Sequence, residues 1–220
     1  MFKKTITALA LIGAFASAQA AAQIGPNYAE GFDLQPGKSA QQVLTGKGWL
    51  IYDSTPLGLT HAWGQGSSAD YGIDGQAGGA NSFLTSDYNN TVAGGSLSSW
   101  LLSPVFTASY SFDVSFWLRG ILADGYSDSV TFGFVNAAGD LNSFVAADTV
   151  VAGGDWTKYT VSFLAKDIPA GVRFAIGYIG SADSSNAVAI DSFASVPEPS
   201  SWALAGVSLL GLLAARRRRA

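Results

Sequence analysis

Chemistry in this chain would fall to carboxylates, one histidine and a set of tryptophans, because cysteine is absent. His61 is the single histidine and lies between Thr60 and Ala62, with no motif marking a nucleophile beside it. Nucleophilic hydrolysis needs a base within reach of a Ser, Thr or Cys, so His61 reads as a surface or loop residue. A zinc site needs several His or Cys ligands, and they are missing. Glycoside hydrolysis needs two opposed carboxylates. Glu30 is the only glutamate before residue 196, and no aspartate pair stands out by spacing. The expectation is a non-enzymatic protein with no catalytic residue.

Binding is better represented than catalysis. Asp124-Gly125-Tyr126-Ser127-Asp128 is a compact oxygen-rich loop, and hard cations such as calcium take six to eight oxygen ligands. It does not match the spacing of an EF-hand loop, and Asp, Ser and Gly also dominate ordinary turns. Asp124 and Asp128 are therefore the candidate ligands if calcium is bound at all. Trp49, Trp63, Trp100, Trp117 and Trp156 could either fill a core or stack on sugar rings. Trp117 is the candidate for stacking, because it lies opposite the apolar stripe of its own segment. Near the C-terminus, Pro197 and Pro199 flank Glu198. Two prolines around one carboxylate make a stiff extended segment, a shape that a processing enzyme can recognise.

The elements that would carry these residues are strands. Turn signals recur at short intervals, among them Gly64-Gln65-Gly66, Asn89-Asn90, Gly94-Gly95, Asp124-Gly125 and Gly153-Gly154. Between them, apolar residues alternate with period two. Phe112, Val114, Phe116 and Leu118 share one face, with Trp117 and Arg119 on the other. Val130, Phe132 and Phe134 align, as do Tyr159, Val161 and Phe163, and Val172, Phe174, Ile176 and Tyr178. A last run, Ala187–Phe193, reads as a closing strand. Each apolar face needs a second sheet over it, so the pattern predicts an all-β, jelly-roll-like antiparallel β-sandwich over residues 23–195. No long helix is expected inside it. The prolines after Ser195 predict that the domain ends there.

Both ends read as targeting segments. Lys3 and Lys4, an apolar run from Ile6 to Phe15 and the small residues ending in Ala18-Gln19-Ala20 form a signal peptide over residues 1–20, with signal peptidase cutting after Ala20. Trp202 to Ala215 carries no charge and is followed by Arg216, Arg217, Arg218 and Arg219. That predicts one C-terminal transmembrane helix, short for a bilayer, with the arginines retained on the cytoplasmic side. Between Ala21 and Ser195 there are fifteen acidic and six basic residues, a net charge of −9. Nucleic acid is excluded as a partner, because phosphate contacts need positive charge.

Residues 196–220, with Pro197-Glu198-Pro199, the apolar stretch 202–215 and the arginines 216–219, resemble a PEP-CTERM sorting tail. The resemblance implies an exosortase as partner, a transient stay in the inner membrane of a Gram-negative bacterium, and release to the cell surface or an extracellular matrix. It further implies association with exopolysaccharide or biofilm. The domain itself resembles the choice-of-anchor J family, which is similar to cleaved-adhesin and MAM-like jelly rolls. The resemblance rests on Gly31-Phe32-Asp33, Gly48-Trp49, Trp63-Gly64-Gln65-Gly66, Asn81-Ser82-Phe83-Leu84, Ser99-Trp100-Leu101-Leu102-Ser103-Pro104, Val114–Arg119, Asp128-Ser129-Val130 and Ala189-Ile190-Asp191. It implies the sandwich and no particular activity. A carbohydrate-binding module and a calcium-dependent adhesive module remain open alternatives.

Overall fold

Alternating apolar side chains make strands here because each run has one face to hide. The computed structural model of the protein describes residues 23–25, 27–34, 39–107, 111–164 and 171–198. The strands, in chain order, are β1 (Gln23–Ile24), β2 (Tyr28–Glu30), β3 (Leu50–Tyr52), β4 (Gly64–Gln65), β5 (Leu84–Asp87), β6 (Ser96–Leu102) and β7 (Val105–Phe106). They continue with β8 (Phe112–Ile121), β9 (Ser129–Asn136), β10 (Val145–Val151), β11 (Thr157–Phe163), β12 (Val172–Ser181) and β13 (Ala187–Pro197).

They form two sheets. In the first, β12 is central: β9 pairs on one side and carries β10, while β6 and β7 pair on the other, followed by β3. Strand β1 joins β7 in a short parallel pair, Gln23 opposite Val105. In the second sheet β13 is central. It has β8 and then β11 on one side, and β5 and β2 on the other, with β4 beyond β5. The remaining pairings are antiparallel, as expected for a jelly-roll-like sandwich.

The core lies between the sheets and follows the predicted stripes. Phe112, Val114, Phe116 and Leu118 of β8 face Val130 and Phe132 of β9 and Phe174, Ile176 and Tyr178 of β12, all buried. The Phe116 ring lies 5.1 Å from that of Phe132 and 5.7 Å from that of Phe174. A second aromatic group seals the C-terminal half of β13, where Phe193 packs edge-on against Trp49 at 5.0 Å and Tyr28 at 6.2 Å. Edge-to-face contacts of this kind are favoured by the ring quadrupoles. Strand β13 bulges between Asp191 and Ala194, with Ser192 at φ 50°. Such a bulge changes which residues face the core.

Two further features bear on the sequence expectation, and the second departs from it. A short helix, α1 (Ala40–Gly46), buries Ala40 and Leu44 against the core. It is closed by a capping box in which Ser39 and Gln42 satisfy each other's backbone amides. The last strand also runs past Ser195 to Pro197. Pro197 lies opposite Phe112, and the Glu198 amide donates to the Ser111 carbonyl at 3.2 Å. That bond marks Pro197/Phe112 as a position where neither residue's own N–H serves the ladder. A proline fits there without loss, which is why it does not end the strand two residues earlier. Residues 1–20, the apolar segment 202–215 and the arginines 216–219 lie outside the described residues. Among the described residues no helix is long and apolar enough to cross a membrane.

Candidate functional site

Four connections converge at the end of the sandwich where β8 finishes and β13 begins. They are the β3–β4 and β5–β6 connections, the latter opening with a 3₁₀ turn at Tyr88–Asn90, and the β8–β9 and β12–β13 connections. Backbone bonds hold them together. The Gly58 and Leu59 amides donate to the Asn90 and Asn89 carbonyls at 3.2 and 2.8 Å. The Tyr88 amide donates to Asn186 at 2.9 Å, and the Ser127 amide to Ser184 at 2.9 Å. Gly58 is required where it stands, because a Cβ there would lie 2.0 Å from the Asn89 carbonyl oxygen.

These connections enclose an open groove of about 870 Å³. Its walls include the half-exposed rings of Tyr88 and Tyr126 with Leu57 and Val92, and Leu59 is 91% exposed. Asn89 and Asn186 are partly exposed polar residues of its lining, Ser185 is buried beneath it, the Asn186 side-chain amide donates to the Ile121 carbonyl, and Asp183 is its single charged residue. The Asp183 carboxylate accepts from the Gly94 amide at 2.9 Å, so its nearer oxygen is engaged with the loop. Apolar and aromatic walls with a few polar groups are what stacking on a sugar ring needs.

Asn186, in the lining of the groove, is held by Asp128. This buried carboxylate accepts from the Tyr178 hydroxyl at 2.6 Å and the Asn186 amide at 2.7 Å. Burial, reinforced by the hydrogen bond to Asp128, pushes the Tyr178 phenol far above its ordinary value. On the outer face of the second sheet, Asp191 accepts from the Ala77 amide at 3.0 Å and holds the loop before β5. Burial raises its carboxyl above the ordinary value, and the Ala77 and Ser192 amides oppose that shift.

The residues singled out from sequence fall in several places. Asp124 is exposed in the β8–β9 turn, whereas Asp128 is buried and bonded as described. Among the described residues no group of three or more His, Asp or Glu is arranged to hold a metal. Trp117 is half-buried on the outer face of β8, in register with Lys158 and Asp191. Trp49, Trp63 and Trp100 are buried. Trp156 packs on Phe83 and donates to the Asp74 carbonyl at 3.1 Å. His61 pairs with Asp53 at 3.0 Å, and Asp53 also accepts from the Ala62 amide at 2.6 Å, bracing the β3–β4 connection. Pro197 and Glu198 close β13, while Pro199, Ala18, Ala20 and Arg216, Arg217, Arg218 and Arg219 lie outside the described residues.

Sequence reasoning passed over Tyr88 and Tyr126. Each sits in a segment read as a turn, beside Asn89-Asn90 or inside the loop considered for calcium. A large ring placed in a polar turn is the available signal, since nothing there gives it a strand face to hide on.

Comparison with known proteins bears on both parts of the chain. The family model of the PEP-CTERM protein-sorting motif matches residues 195–219. No curated protein matches the chain. Among solved structures, the chain is similar to the K1 cleaved adhesin domain of Lys-gingipain from Porphyromonas gingivalis W83. The TM-score is 0.56 at 18% identity, over 76% of this chain and 95% of that one. The K2 cleaved adhesin domain of Lys-gingipain is similar at a TM-score of 0.55 and 16% identity, over 76% and 97% of the two chains. The motif implies an exosortase partner and a secreted protein that passes a membrane, and the domain before it has the fold of the cleaved adhesins.

Proposed function

We propose that this is a non-catalytic surface protein of a Gram-negative bacterium, sorted by an exosortase, whose sandwich binds a neutral polysaccharide of the cell's own surface or matrix. The sorting half of the reading is supported by the tail match at 195–219. The observation that carries the ligand half is the groove. Two tyrosine rings stand over apolar walls among amide and hydroxyl groups, and no basic residue lines it. Stacking on a pyranose face uses such rings, and a side-chain amide such as that of Asn89 meets sugar hydroxyls. A uronate or sulfated chain would meet Asp183 and a domain of net charge −9 with no cation to receive it. Neutral hydroxyl-rich chains escape that penalty.

The test is electrophoresis of the protein through gels containing a neutral polysaccharide extracted from the native matrix, or a uronate-rich one. Retardation by the neutral polymer, abolished in a Tyr88→Ala/Tyr126→Ala double variant, is the expected result. Retardation by the uronate polymer alone, or equal retardation of the double variant, would overturn the ligand reading.

A further inference from the structure

We infer that the peptide bond cut during sorting lies on the C-terminal side of Glu198, because the folded sandwich holds the first part of the sorting motif in its own sheet. The inference rests on the exosortase reading above. It concerns where the folded domain allows the cut.

Strand β13 is not a free tail. At Ala194 and Ser195 it is flanked on both sides, by β2 and by β8, and Ser195 is buried. Beyond Ser195 the β2 pairing stops, but Val196 still lies opposite Asp113, and Pro197 opposite Phe112. The Glu198 amide closes the ladder on the Ser111 carbonyl. An enzyme that acts on a peptide bond must reach its carbonyl carbon. Every bond up to Pro197–Glu198 therefore requires β13 to be peeled from β8. A cut before the bulge would in addition withdraw Phe193 from the ring cluster of Trp49 and Tyr28. Among the described residues the Glu198 amide makes the last ladder bond of β13, and the Glu198 carbonyl follows it.

The chemical step is ordinary acyl transfer. The scissile C–N bond breaks, and the tail leaves with a free, protonated amine. The carbonyl carbon forms a new bond to water or to an amine acceptor. In either case the mature chain ends on the residue that supplied the carbonyl. A water-derived end adds one water to the peptide mass, and an amine-derived end adds the acceptor.

Two measurements on the full chain test this. The first is mass spectrometry of the C-terminal peptide of protein recovered from an exosortase-competent host. The expected terminus is Glu198 or a residue beyond it, without the apolar segment 202–215. A terminus at Pro197 or earlier would overturn the inference while leaving sorting intact. Protein retaining residues 202–220 would overturn the sorting reading and the inference with it. The second is hydrogen exchange at the Glu198 amide, expected to be at least about tenfold slower than in a free peptide of the same sequence. Equal rates would show that the motif is not held in the sheet and would overturn the inference independently.

Discussion

The two ends of β13 differ in what they adjoin. Its N-terminal end adjoins the groove through Ser185 and Asn186, and its C-terminal end carries Pro197, with Glu198 directly after it. At about 3.3 Å per residue, the 11 residues of the strand separate the two ends by roughly 33 Å. The groove therefore lies at the end of the sandwich opposite the start of the sorting motif. The two ends are also held by different means. Rings packed around Phe193 fasten the sorting end, whereas hydrogen bonds converging on Asp128 fasten the groove end. The lesson is that one strand can border a candidate groove at one end and carry the start of the sorting motif at the other, with separate packing securing each.

The comparison breaks most forcefully at Phe193. Phe193→Ala removes a buried ring that touches Trp49, Tyr28, Phe106 and Phe174. It should cost about 3–5 kcal/mol in urea unfolding. Below the unfolding transition it should speed hydrogen exchange at Glu198 and leave polysaccharide binding unchanged. Lost binding in the folded variant would mean that the two ends are coupled. The converse variant is Tyr178→Phe, which leaves the buried Asp128 carboxylate with one fewer donor. About 1.5–3 kcal/mol of stability should go, because the bond lost is to a charged group. Here binding should weaken, since Asn186 and its loop rest on the same carboxylate, and exchange at Glu198 should not change.

Much of this plan was legible beforehand. The stripe Phe112–Leu118 marked β8, and Val172–Tyr178 marked β12, because a period of two leaves little freedom about which face is inside. The sorting tail was legible because its three parts are contiguous. What stayed hidden was whatever depends on contacts across the chain. The groove joins Leu57, Tyr88, Tyr126 and Asn186 from four connections, and no local pattern announces that they meet. Asp128 looked like a cation ligand because its loop is rich in oxygen. In the fold, one of its oxygens accepts from Tyr178 and Asn186, partners fifty or more residues away. The short helix α1 carried a readable signal in Ser39-Ala40-Gln41-Gln42, but seven residues are too few for a helical period to show. The proline rule failed at Pro197 because it depends on the register of the pair, which sequence does not display.

A milder change sharpens the comparison at the groove. Tyr88→Ala alone should weaken binding about tenfold, equivalent to about 1.4 kcal/mol. Because the ring is half-exposed, stability should move by less than about 0.5 kcal/mol. A large stability loss without an affinity change would reassign Tyr88 from ligand contact to loop packing.

The smallest expected effect lies between the two ends, at Asp191, where the strand bulges. Its carboxyl is fully buried and raised above the ordinary value by burial, so folding favours the protonated form. A raised carboxyl contributes stability that is fully present below the unfolded value of 3.8 and is lost as pH rises through the folded value. Asp191→Asn removes that titration while keeping one carbonyl oxygen for the Ala77 or Ser192 amide. It cannot serve both equally, so the variant starts from a stability of its own. The informative quantity is the difference in melting temperature between the parent and the variant, followed from pH 4 upward. It should be most favourable to the parent at the acid end and decline as pH rises. A difference that is flat, or that grows with pH, would mean that the Ala77 and Ser192 amides outweigh desolvation, and that Asp191 holds its loop as an ordinary ionised carboxylate.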